Sequence, residues 1–134
     1  MTSTTIMYLL GNNGDRIPYV VADASTIAKG DVLELTDNMV VIAQTNADQP
    51  VVGIAAHEKV ANDGNTMMTA ITNCVTKMKT VAGGSATIGD PVSMDATNNE
   101  VNLSTTLDWE KGWAIGKALE NAGAGETLAV RIKK

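Results

Sequence analysis

The chain has one histidine, His57, and one cysteine, Cys74. Together these types can form a nucleophilic pair, provided the imidazole lies within hydrogen-bonding reach of the sulfur. Both fall in or beside predicted strands, with no glycine-rich nucleophile turn and no acid placed to orient the ring. No catalytic residue is therefore assigned, and Cys74 reads as a small buried hydrophobe. Metal chemistry is as poorly supplied, since structural zinc takes four ligands. The carboxylate-bearing turns ANDGN (61–65) and DATNNE (95–100) lack the alternating spacing and closing glutamate of a calcium loop. They read as β-turns, and neither a metal nor a cofactor is expected.

Two other motifs offer chemistry and fail on context. AGAGE (122–126) contains Gly-x-Gly, but a dinucleotide fingerprint must open a helix within a parallel βαβ unit, and here a strand follows. KMK (77–79) inverts the Met-Lys-Met that biotin carriers place at a hairpin tip. By alternation Cys74, Thr76 and Met78 face one way while Val75, Lys77 and Lys79 face the other, which is a strand with one wet face. The scarce aromatics say more. Trp113 sits beside a repeated apolar-Gly segment and reads as core. Trp109 lies in an insertion between Asp108 and Glu110, where an exposed ring could anchor an interface or cap the end of a barrel.

The elements behind these residues repeat. IAKGDVLEL (27–35) is echoed by ATIGDPVSM (86–94), and GNTMMTAI (64–71) by GETLAVRI (125–132). Three glycine pairs register the halves: Gly30 with Gly89, Gly53 with Gly116 and Gly64 with Gly125, offset by 59, 63 and 61 residues. Two copies are too few for a solenoid, so a closed or sandwiched pair is expected. Leu128, Val130 and Ile132 alternate with Thr127, Ala129 and Arg131, the period of a half-buried strand. VLELT and MVVIA flank Asp37-Asn38, residues that tolerate the left-handed turn of a tight hairpin. TTLDWEKG (105–112) has a threonine cap and early acids, and predicts at most one helical turn.

The expected fold is all-β: a compact β-barrel or β-sandwich of two similar halves of about sixty residues. The arm is expected over 1–14 and one barrel domain over 15–134, with the repeat at 27–71 and 86–132. At 134 residues folding hides roughly two-thirds of the extended chain's surface. With no Phe and seven Met, the core must be made of aliphatic side chains and flexible gap-fillers.

A net charge of −5 with scattered Lys and Arg argues against a nucleic-acid partner. No segment is apolar over the length a bilayer requires, so no membrane partner is expected. A lone cysteine excludes an intrachain disulfide. The opening MTSTTIMYLL lacks the basic region of a signal peptide, which predicts residence in the cytoplasm where the chain is made. Its apolar run IMYLL lies outside the repeat, free to pack back or to pair with the edge of another protein.

From IAKGDVLEL through PVVGIAA and GNTMMTAI to the second Gly-Asp at 89–90 and WAIGKALENAGAGETLAVRIKK, the chain resembles the head decoration, or capsid cement, proteins of tailed bacteriophages. Pro91, where the first half has Val32, departs from the usual hydrophobic residue there. The resemblance implies a non-enzymatic virion protein, made in the host cytoplasm and bound to the outer capsid surface. It implies the major capsid protein as partner and a homo-oligomer, a trimer ahead of a dimer. On that reading the arm residues Thr2, Ser3, Thr4, Thr5, Ile6, Met7, Tyr8, Leu9 and Leu10 contact the capsid, and Trp109 is a possible interface residue. The alternative is a non-enzymatic β-barrel module for carbohydrate, with Trp109 as its stacking surface.

Overall fold

The computed structural model describes residues 6–8, 14–45, 49–95, 100–103 and 114–132. These form eleven strands, and no helix occurs among them. After β1 (Ile6–Tyr8), the first half contributes β2 (Asp15–Val20), β3 (Val32–Asp37), β4 (Val40–Ala43), β5 (Val51–Ala55) and β6 (Met67–Thr72). The second contributes β7 (Cys74–Thr80), β8 (Pro91–Met94), β9 (Glu100–Leu103), β10 (Ala114–Ala118) and β11 (Thr127–Ile132). The all-β expectation is met. The helical turn expected at 105–112, together with Trp109 and Trp113, lies outside the described residues.

Each half closes on its own strands. The first is a barrel in the order β2-β4-β3-β5-β6. The second follows the same plan, running β7-β11-β10-β8-β9 with a further β7–β9 pairing that joins its ends. Closure depends in both on one parallel contact, Val20 with Val40 in the first half and Lys79–Thr80 with Glu100–Val101 in the second. All other pairings are antiparallel, so hairpin-type turns can connect neighbours. The repeated unit is therefore longer than the glycine registers indicated: β2 and β7 are counterparts, although DRIPYV and CVTKMKT share no sequence pattern.

The echoed motifs perform the same task twice. Gly30 (φ 89°) and Gly89 (φ 86°) turn the chain into β3 and β8. Their amides donate to the carbonyls of Ala55 at 3.0 Å and Ala118 at 2.8 Å. The following aspartates return the bond: Asp31 O and Asp90 O accept from the N–H of Ala55 and of Ala118. Gly53 and Gly116 allow the closest strand approach. A Cβ at Gly53 would stand 2.7 Å from Ile71 O, and one at Gly116 only 1.8 Å from Arg131 O. Pro91 begins β8, a position that asks for no preceding ladder hydrogen bond.

The turn after β3 differs from expectation. Asp37-Asn38 were expected to carry the left-handed conformation, but Met39 does, at φ 58°. A bulge between Leu35 and Asp37 shifts the register by one residue and moves the left-handed position along the chain.

Alternation sorts side chains into two cores. Leu33, Val41, Met68 and Ala70 cluster with Val21 and Ile27 in one. Their neighbours Val32, Ile54 and Ile71 join Met78, Val92, Ile115, Leu128, Val130 and Ile132 in the other, which spans both halves. Strands β5 and β10 meet at that junction. The link from β6 to β7 is the single residue Asn73, left-handed at φ 53°, whose amide also bonds the Asp15 carboxylate. Buried Gln44 donates from Nε2 to Asp95 O at 2.6 Å, a second tie between the halves.

Two substitutions follow from this geometry. Gly116→Ala should cost roughly 3 kcal/mol or more, because its Cβ meets a backbone carbonyl that cannot move without breaking the β10–β11 ladder. Met39→Gly should gain about 1 kcal/mol by relieving the left-handed strain. Urea unfolding of each variant beside the wild type measures both.

Candidate functional site

Nucleophilic chemistry at Cys74 is opposed by its surroundings. Cys74 opens β7 and is buried, and its thiol is pushed up to about 11 by that burial, with Arg131 opposing weakly. A thiol so far above neutrality is not a ready nucleophile. His57 follows β5 and its Nδ1 lies 3.1 Å from Glu58 O. In KMK, Met78 is fully buried in mid-strand and pairs with Leu128, so the motif is not at a hairpin tip. Lys77 reaches Glu120 at 2.8 Å, holding that carboxyl below its usual range.

The ANDGN turn proves to be the binding frame for a lysine that sequence reading passed over. Lys59 follows β5 and is fully buried. Its Nζ donates to Asp63 Oδ1 at 2.5 Å, to Asp23 O and Val60 O at 2.8 Å each, and to Asp23 Oδ1 at 3.2 Å. Burial works against the charge, but bonds to Asp63 and Asp23 outweigh it and hold the ammonium above its ordinary pKa. Asp63 is correspondingly lowered to about 2, first by Lys59 and then by the Asn65 N–H. This turn spends its carboxylate on an internal ion pair. Among the described residues no group of three His, Cys, Asp or Glu is placed to hold a metal ion. The signal that could have revealed Lys59 is its i,i+4 spacing to Asp63.

Asp31, in the first Gly-Asp motif, is also buried. Its Oδ2 accepts the Ala28 N–H at 3.0 Å, fastening the turn, and burial raises its pKa. The aspartate thus stabilises the turn that glycine permits.

Three surfaces remain available to a partner. The first is the arm: β1 pairs antiparallel with β7 through Ile6–Lys77, Met7–Thr76 and Tyr8–Val75. It is the end strand of its sheet, and β7 is its only partner among the described residues. Thr2, Ser3, Thr4, Thr5, Leu9, Leu10 and Trp109 lie outside those residues. The second is apolar: Val20 (43 % exposed) and Met67 (50 %) are cross-strand partners, and Met39 (52 %) carries the carbonyl that accepts the Val20 N–H. The third is a shallow depression open to solvent in the second half, over the bridge between Ala86 and Ala122.

Lys59→Met should lower the melting temperature by roughly 5–10 °C near neutral pH, leaving Asp23 and Asp63 repelling each other. A depressed carboxyl contributes stability above its unfolded value of 3.8 and loses it as pH falls through about 2. The raised Lys59 contributes below 10.5 and loses its share as pH rises through its higher folded value. Thermal melts of both proteins should therefore converge as pH falls from about 4 towards 2.

With this geometry described, comparison with known proteins adds three findings. The family model described as phage cement protein matches residues 11–133. The N base of head fiber gp8.5 of bacteriophage phi29, a crystal structure, superposes with a TM-score of 0.53 at 12 % identity, covering 89 % of this chain and 95 % of that one. At that identity the likeness speaks to fold alone. No curated protein matches the chain.

Proposed function

The chain belongs to the phage cement protein family, and from that membership we propose that it binds the outer surface of a phage capsid and braces the shell through contacts with the major capsid protein. The family match over residues 11–133 carries this reading. A structural capsid role also accords with polar turns that spend their carboxylates on their own backbone and lysine. We further propose a homo-oligomer, a trimer ahead of a dimer, because several modest contacts on one rigid body act together through effective concentration.

The arm is the proposed point of attachment. An end strand offers one edge of backbone N–H and C=O groups, and strand addition satisfies them. In this reading Thr2 to Leu10 pair with the major capsid protein along the outer edge of β1, with Tyr8 and Leu9 as anchors. The arm need not leave β7 to do so. Trp109, in the insertion peculiar to the second half, is proposed as a further contact.

The test is imaging and sedimentation of expanded empty shells with and without the protein. Added density on the outer surface and co-sedimentation are expected. Their absence at saturating protein would overturn the capsid reading. Deleting residues 1–10 should weaken co-sedimentation about tenfold or more, with a thermal melt confirming that the barrels remain folded. Undiminished binding by a folded deletion variant would remove the arm from the contact.

A further inference from the structure

The repeat provides a solvated reference for the apolar patch at Val20 and Met67. Equivalent backbone bonds align the copies: the Val21 N–H donates to Thr66 O at 2.9 Å, and the Thr80 N–H to Glu126 O at 2.9 Å. The ladders agree. Val20 pairs with Met67 and Val40, and Lys79 pairs with Thr127 and Glu100. Val20, Val40 and Met67 thus stand where the second copy has Lys79, Glu100 and Thr127. None of these six side chains is buried. The fold accepts a lysine, a glutamate and a threonine at these places, so barrel packing does not require the apolar set. Exposed Met39 extends that set, since its carbonyl accepts the Val20 N–H.

The second copy carries an apolar pair of its own, at different positions. The Gly30 and Gly89 amides donate to Ala55 O and Ala118 O, and those of Ala56 and Leu119 donate to Thr69 O and Ala129 O. Lys29 and Ala56 therefore correspond to Ile88 and Leu119, which are 61 % and 37 % exposed. Ile88 and Leu119 flank the bonded Gly89 and Ala118, which places them opposite each other. The two patches differ in the charge beside them. Asp37, paired with Val40 across the β3–β4 hairpin, is exposed next to the first. Lys117 and Arg131 are exposed cross-strand partners, and alternation puts Lys117 on the face of Leu119. None of these three charges makes an ion pair among the described residues.

We infer that a second copy of this chain covers the patch of Val20, Met39 and Met67 with its Ile88 and Leu119, in a head-to-tail contact that sets Asp37 against Lys117 and Arg131. A second copy brings an apolar pair and the opposite charge on one surface, which complements this patch and its acidic edge. Covering both sets removes apolar area from water, the free-energy gain that neither barrel obtains alone. A head-to-tail contact covers both patches on every copy only when it closes into a ring. The contact rests on the homo-oligomer reading above; the alignment that identifies the two patches does not.

The experiment is sedimentation velocity of the full chain over a concentration series, with variants that borrow residues from the other copy. Val20→Lys with Met67→Thr gives the first copy the residues of the second, and Ile88→Lys with Leu119→Ala does the reverse. Each replacement already occupies the equivalent place in the fold, and a thermal melt confirms folding. The wild type should self-associate, and association should weaken about tenfold or more for each large apolar side chain lost. The two double variants should be monomeric apart and form one-to-one dimers when mixed, since each keeps the patch that the other lacks. Undiminished oligomers in either variant would overturn the contact and leave the homo-oligomer reading standing. Association lost only with the first patch would make that patch meet itself, overturning its pairing with Ile88 and Leu119. A first-patch variant that keeps its oligomer but no longer co-sediments with shells would assign the patch to the shell instead. A wild type monomeric at every concentration would overturn the homo-oligomer reading and this contact with it.

Discussion

A five-stranded ring leaves little room inside, and most other features of this chain answer to that constraint. Barrel diameter grows with strand number, and eight strands already enclose only enough space for side chains to fill. Here the interior of the first ring is filled by Val21, Ile27, Leu33, Val41, Ala55, Met68 and Ala70. A chain without Phe suits such a space. The same tightness brings β5 against β6 and β10 against β11 so closely that only glycine fits at positions 53 and 116. Because so small a ring cannot bury enough surface alone, the outward faces of β3, β5 and β6 add Val32, Ile54 and Ile71 to a second core shared with the other half. The halves need each other for burial, although each closes by itself.

Within this duplicated frame the copies have diverged in what they do with their turns. The first copy buries a lysine and holds it with Asp23 and Asp63, a pairing that ties the β2–β3 connection to the β5–β6 connection. A buried charge is tolerable there because four acceptor contacts replace its water. The second copy has an alanine at this place and uses the Thr80 hydroxyl to fasten its turn. The arm adds a further asymmetry, since β1 lies along β7 of the second copy and no equivalent strand among the described residues covers β2. Duplication followed by such divergence leaves the two copies with different surfaces: an exposed apolar patch of Val20, Met39 and Met67 on the first, and the paired arm strand on the second.

Much of the architecture was legible. The glycine registers at 30/89, 53/116 and 64/125 correspond in the structure to repeated turns and close approaches, because a steric requirement for glycine leaves few alternatives. The alternation of β11, with Leu128, Val130 and Ile132 buried, was equally plain. The first strand of each copy was not. β2 has an exposed or half-exposed side chain at every position, whereas β7 is mostly buried between β11 on one edge and β1 with β9 on the other. Counterparts that meet different neighbours are selected for different side chains, so their likeness survives in the backbone alone. Lys59 escaped notice for a related reason: a single charged residue in a turn gives no sign in one dimension that a second, distant loop converges on it.

Sequence alone determined the strand content, the two-fold repeat, the positions of its obligatory glycines and the poverty of catalytic groups. These are local matters, settled by side-chain period, by φ and by which residue types are present. Only the tertiary structure decided that each copy closes on itself, that Met39 takes the left-handed turn position, and that Asp63 serves a buried lysine. Those outcomes depend on strand register and on contacts between residues distant in the chain. Such contacts form only when burial of the whole has offset the entropy of bringing the segments together.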